Sequence, residues 1–118
     1  MPKIGVIGSR GYNNYEEFKE KLLFLISNIR EEIVFVSGGC PSGGDALISR
    51  FCKEGNYQII EHLPDWDKHG KAAGFIRNKL IIEDSDMLAA WWDGKSKGTK
   101  SSIDLARKKN IPIKIIKV

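Results

Sequence analysis

Cysteine is scarce in this chain. Cys40 and Cys52 are the only two among 118 residues, with no C-x-x-C pair and no zinc-type spacing to His62 and His69. That excludes a disulfide scaffold and a zinc ribbon, and it fits two reduced thiols in a cytosolic protein. Long apolar runs are also missing, since no stretch approaches the ~20 residues that cross a bilayer. The opening MPKIGVIG has the pattern of a strand, not of a basic-then-apolar leader. A soluble, cytoplasmic protein without a membrane partner is the expectation. Proline occurs four times, and internal repeats, linkers and low-complexity segments are absent. Residues 1–118 are therefore expected to form one domain. With 42% apolar residues, the chain has enough for a real core.

Two nucleotide-binding signatures are lacking as well. Gly94-Lys95-Ser96 fails the triphosphate-loop pattern because Ala89 stands where its first glycine belongs. Gly5, Gly8 and Gly11 are spaced G-x-x-G-x-x-G, and no acidic residue follows the second strand. A P-loop ATPase is excluded, and classical dinucleotide binding is disfavoured.

What is present begins with charge. The net charge is +4, and all of the surplus lies in the second half: residues 1–59 hold seven Lys/Arg and seven Asp/Glu, residues 60–118 twelve and eight. Such a field draws an anion toward that half. No basic run is interleaved with aromatics, which argues against nucleic acid as a partner.

Short β-branched runs alternate with amphipathic helices. Strands are expected at Lys3–Gly8, Ile33–Ser37, Tyr57–Glu61, Met87–Trp92 and Ile111–Val118, and helices at 14–30, 44–55, 69–84 and 99–109. Gly55 is placed at the end of the second helix. Phe75, Ile76, Leu80 and Ile81 supply the apolar positions of the third. This order predicts an α/β, Rossmann-like doubly wound sheet of about five mostly parallel strands, with helices on both faces. Ligands bind such sheets outside the carboxyl ends of the strands. Four consecutive strand ends run into glycine-rich polar loops: GSRGYNN, SGGCPSGGD, LPDWDKHGKAAG and WWDGKSKGT.

The candidate ligand-binding residues lie in these loops. The first contributes Gly8, Ser9 and Arg10. The second contributes Ser37, Gly38, Gly39, Ser42, Gly43 and Asp45, its glycines expected to present backbone N–H groups beside a helix N-terminus. Asp45 either caps that helix or holds ribose hydroxyls. The third contributes Asp65, Trp66, His69, Lys71, Arg77 and Asn78. Gly70, Gly74 and Arg77 are expected on one helical face, with Trp66, or Trp92 of the fourth loop, a candidate to stack on a base. The fourth contributes Trp92, Asp93, Ser96, Gly98 and Thr99, with Lys95, Lys97 and Lys100 steering an anion.

Taken in order, these motifs resemble the YspA-like branch of the SLOG superfamily, which also includes LOG-type "lysine decarboxylase" proteins and DprA-type domains. The resemblance runs from Ile4 to Ile116, and HGKAAG-x-x-RN is its most specific block. It implies binding of a nucleotide-derived small molecule, ADP-ribose-like or cyclic-nucleotide-like, which the protein senses or sequesters. It also implies a homodimer or higher homo-oligomer. No cofactor and no metal are expected. Against the LOG pattern Arg77, Gly98 and Thr99 match, whereas the glutamate position falls on Ser102. Glycosidic cleavage needs a carboxylate, which only Asp45, Asp65, Asp67 or Asp93 could supply instead, so the expectation leans away from an enzyme. Were the chain an N-glycosidase, Arg77 would be its catalytic candidate. Single-stranded DNA binding of the DprA type is a further alternative.

Overall fold

The computed structural model describes all 118 residues. Five strands, β1 (Lys3–Gly8), β2 (Val34–Ser37), β3 (Gln58–Glu61), β4 (Met87–Trp92) and β5 (Ile113–Lys117), form one sheet in the order β3-β2-β1-β4-β5. Every neighbouring pair is parallel, with Gly5 level with Val36 on one side and with Leu88 on the other. The strand order reverses between β1 and β4, so the crevice expected of a doubly wound sheet opens beyond Gly8 and Trp92.

Period-two alternation divides the core between the two sheet faces. Ile4 and Val6 of β1, with Ala89 and Trp91 of β4, face α1 (Tyr15–Ile26) and α2 (Gly43–Gly55), burying Phe18, Leu22, Ile48 and Phe51. The Trp91 and Phe18 rings meet there at 4.4 Å between centroids. Ile7, Leu88 and Ala90 face the other way, against Ile82 of α4 (Ala73–Glu83) and Ile103 and Ala106 of α5 (Lys97–Lys109). Full burial of a side chain such as Leu or Phe stabilises by about 1.5–3 kcal/mol, so both faces contribute to the fold.

Local chemistry sets the helix ends. Asn14 caps α1, accepting from the Glu17 amide at 3.2 Å, and Glu16 and Glu17 complement the helix dipole. The helix stops at Ile26, where the Ser27 hydroxyl donates to the Phe24 carbonyl, so the expected run to residue 30 is too long. The left-handed residue closing α2 is Asn56, one position after the Gly55 of the sequence reading.

The largest departure lies in the third helical region. The expected helix 69–84 divides into a 3-10 turn over Gly70–Ala72 and α4, and it is preceded by a short, unexpected helix α3 (Trp66–His69). Gly70 takes φ +55°, which ends α3 and removes Gly70 from the face that Gly74 and Arg77 share. Within α4 the buried positions are Ala73, Ile81 and Ile82, whereas Phe75 and Leu80 are exposed. No helix is long and apolar enough to cross a membrane.

Candidate functional site

A cleft of about 120 Å³ lies at the strand-order reversal. Ile7, Gly8 and Arg10 form its β1 wall, and Cys40, Ser42 and Asp45 come from the loop after β2. Arg77, Asn78 and Ile81 line it from α4, and Ser96, Gly98, Thr99 and Ser102 from the start of α5.

The glycines of SGGCPSGGD work mainly through close packing. A Cβ on Gly44 would lie 2.5 Å from the Gly8 nitrogen and 2.6 Å from its Cα, so the first turn of α2 rests directly on the end of β1. Gly43 has φ +65°, and a Cβ there would be 2.9 Å from the Arg10 Cα. At Gly38 a Cβ would collide with the Arg77 guanidinium and approach Asp45 Oδ2 at 2.9 Å. Gly39, at φ +68°, is covered by the Leu63 side chain.

The loop amides divide into two groups. The Gly39 amide donates to Ser37 Oγ at 3.1 Å, and the Cys40 amide donates to Asp45 Oδ2 at 3.1 Å. These donors are satisfied by the chain itself, which differs from the expectation that the whole 38–44 loop offers free N–H groups. Nor does Asp45 cap α2. The cap residue is Ser42, and its hydroxyl takes no first-turn amide, so that helix terminus keeps its positive end toward the cleft.

Arg77 is the fixed cation of the site. Its Nη1 donates to the Gly38 carbonyl at 2.9 Å, and its Nε donates to Asn78 Oδ1 at 2.9 Å. Asp45 Oδ2 lies 3.9 Å from Nη1, with both side chains largely buried. Burial raises the Asp45 carboxyl above its ordinary range, against the opposing pull of the Cys40 amide and Arg77. Asp45 is the only carboxylate lining the cleft.

The other wall is organised by α5. Ser96 Oγ accepts from the Thr99 amide at 3.4 Å and lies 3.1 Å from Thr99 Oγ1, so this helix is capped by its own hydroxyl. Asp93 Oδ1 accepts from the Lys95 and Ser96 amides at 2.8 Å each, and those bonds hold its carboxyl below the usual range. Its own amide donates to Ser9 Oγ at 3.0 Å. The Trp92 indole donates to the Ser96 carbonyl at 3.0 Å, and its ring packs on the core beneath α5.

Of the sequence-predicted residues, the cleft brings together Gly8, Arg10, Ser42, Asp45, Arg77, Asn78, Ser96, Gly98 and Thr99. Ser9, Ser37, Gly38 and Gly43 adjoin it, through contacts with Asp93, Asp45, Arg77 and Arg10 respectively, whereas Gly39 faces Leu63 and Glu61 on another side of the loop. Trp92 and Asp93 shape the loop that leads into α5. Asp65 caps α3, accepting from the Lys68 amide at 3.1 Å. Trp66 is 58% exposed, its ring lying over Gly74 one turn before Arg77. His69 and Lys71 belong to the same outer segment and do not line the cleft. Sequence reasoning missed Cys40, Ile7 and Ile81 as lining residues, and treated Ser102 only as a missing glutamate. Ser102 is buried and opens onto the cleft floor.

The fold has solved counterparts. A molybdenum cofactor binding protein from the phototrophic bacterium Rippkaea orientalis superposes with a TM-score of 0.77 at 26% identity, over 99% of this chain and 77% of that one. DNA processing protein A from Streptococcus pneumoniae gives a TM-score of 0.77 at 16% identity, the match spanning 98% of this chain and 50% of that one. At that identity the likeness is one of fold. In sequence, the Gene 61 protein of Mycobacterium phage D29 is 29% identical over 119 residues, covering 96% of this chain and 94% of its own. The family model of the YspA, cpYpsA-related SLOG family matches residues 2–69, from the start of β1 to the end of α3. With that match over more than half of its length, on this sheet order, the chain belongs to the YspA, cpYpsA-related SLOG family.

Proposed function

We infer that the cleft binds the phosphate end of a nucleotide-derived small molecule, ADP-ribose-like or cyclic-nucleotide-like, which the protein senses or sequesters. The observation carrying this reading is the convergence of a fixed guanidinium, Arg77, with the uncapped N-terminus of α2 at the strand-order reversal. At about 120 Å³ the cleft is smaller than the ~300–1,000 Å³ of sites that enclose a whole drug-sized ligand. A phosphate fits inside, and the nucleoside extends out past Arg77 toward exposed Trp66, whose ring over Gly74 is offered to a base. Arg10 pairs with the phosphate from the β1 side. The Rippkaea relative, described as binding a molybdenum cofactor, supports a small-molecule role. Pairing into a homodimer would shelter so shallow a site.

Cleavage is the less favoured reading, because the single carboxylate in the cleft is engaged by the Cys40 amide and lies beside Arg77. Calorimetric titration with AMP and ADP-ribose tests the proposal, alongside mass spectrometry of small molecules released on denaturation. Binding that is lost in Arg77→Ala is expected. No heat with either nucleotide and no co-purifying nucleotide would overturn it. Release of free base would move the assignment to an N-glycosidase. An oligonucleotide shift with a steep salt dependence would move it to single-stranded DNA. Gel filtration at a monomer mass would remove the homodimer.

A further inference from the structure

Away from the cleft, a second and larger concavity runs along the outer face of α5. It measures about 690 Å³ and is bordered by Phe75 of α4. Lys97, Lys100, Ser101, Asp104, Arg107 and Lys108 recur along it at helical spacing, forming one continuous stripe. Phe75 is 54% exposed, and with half-buried Leu105 it gives the groove an apolar ledge. What sets Phe75 apart from other exposed apolar side chains is its place beside Leu105 at the edge of a cationic groove.

The charge along the groove limits what can cover it. Four cations face one carboxylate, and Asp104 is held between Lys100 at 3.0 Å and Arg107 at 3.7 Å. A second copy docked here about a two-fold axis would set the same cationic stripe against itself, which is repulsive. A nucleic-acid backbone would have to track past Asp104, with its regularly spaced phosphates held near that carboxylate. A polypeptide has no such constraint, because its sequence decides where its carboxylates fall.

We propose that the α4–α5 groove is a docking site for an acidic amphipathic helix of another protein. Its apolar face would lie on Phe75 and Leu105, and its carboxylates would meet Lys97, Lys100, Arg107 and Lys108. The proposal does not depend on the nucleotide reading of the cleft. The groove does, however, share the first turn of α5 with it: Ser96 and Gly98 face the cleft and Lys97 the groove. A partner seated there would stand beside the cleft mouth.

The test uses the full chain and a fluorescently labelled synthetic amphipathic peptide, leucines on one face and glutamates flanking them. A second peptide carries glutamine at every glutamate. Anisotropy titration at about 50 mM salt is expected to show the glutamate peptide binding at least roughly tenfold more tightly than the glutamine peptide, with the difference shrinking at about 300 mM. Phe75→Ser and the double variant Lys97→Glu/Lys108→Glu should each weaken it by roughly tenfold. All three positions are exposed, so circular dichroism should show the variants folded. The proposal is overturned if the two peptides bind alike or not at all, or if the variants leave binding unchanged. It is also overturned if a single-stranded oligonucleotide binds the groove more tightly than the peptide. A dimer in sedimentation that Phe75→Ser or the charge reversal dissociates would assign the groove to a second copy instead.

Discussion

The guanidinium of Arg77 occupies the space that a side chain on Gly38 would need. A Cβ there would collide with it and lie 2.9 Å from Asp45 Oδ2, while the Gly38 carbonyl accepts from Arg77 Nη1. Glycine at position 38 is thus a requirement of the arginine 39 residues away.

Gly38→Ala should therefore lower both stability and ligand affinity. Moving a buried, hydrogen-bonded guanidinium costs about 1–3 kcal/mol, and nucleotide binding should fall at least roughly tenfold. Gly11→Ala serves as the control, because a Cβ at Gly11 meets nothing within 4 Å. Its stability should stay within about 0.5 kcal/mol of the parent. Thermal melting and calorimetry on both variants check this, and equal effects at the two positions would refute it.

Asp45→Asn separates two roles for the carboxylate. If Asp45 offsets the positive field of the cleft, its neutralisation should tighten AMP binding roughly three- to tenfold. Arg77 should stay in place, since Gly38 and Asn78 still hold it. If Asp45 grips ribose hydroxyls, affinity should fall. Stability carries a second sign. Burial raises this carboxyl, so the folded state keeps the proton longer than the unfolded chain does. Its contribution is present below the unfolded pKa and lost as pH rises through the folded one. The variant should remove that slope from a pH series of melting temperatures.

Asp84 behaves in the opposite sense. It accepts from Lys3 Nζ at 2.8 Å and pairs with His62 Nε2 at 3.0 Å, and these partners, Lys3 foremost, hold its carboxyl below the usual range. The stability it contributes is present above the unfolded carboxylate value and lost as pH falls through the folded one. Between about pH 5 and pH 2 the parent should lose melting temperature faster than Asp84→Asn. Parallel curves would show that the pair contributes nothing measurable.

Lys109 closes the far end of α4. Its ammonium donates to the carbonyls of Ile82, Glu83 and Ser85 at 3.0, 2.8 and 2.9 Å, capping one helix from the end of another. Lys109→Met keeps the aliphatic stem and removes the donors. It should cost about 1 kcal/mol in denaturant unfolding without altering nucleotide affinity.

The architecture was legible because its cause is local. Short apolar runs mark β1 and β4, apolar residues recur at helical spacing in α2 and α5, and both patterns are visible along the chain. The four loops at the carboxyl edge followed from that order. Less legible was whatever depends on two distant backbones meeting. The Gly8–Gly44 contact joins residues far apart in sequence, and it explains glycines that resemble a phosphate cradle when read alone. Asp45 looked like a helix cap, since its bond to the Cys40 amide depends on how the loop folds back. The break at Gly70 was hidden because the apolar positions read as helical, Phe75, Ile76, Leu80 and Ile81, all lie after it and no proline marks it. Cys40 and Ser102 carried no sequence signal for the cleft, one being a lone thiol and the other a helix serine.

The contact between Gly8 and Gly44 also limits which substitutions the cleft can accept. Strand and helix touch there backbone to backbone, with no side chain between them to exchange. A side chain at either position would meet backbone, so the end of β1 and the first turn of α2 can be altered only by moving main chain. The exposed α3 segment around Trp66 is under no such constraint, because substitutions there disturb little of the core.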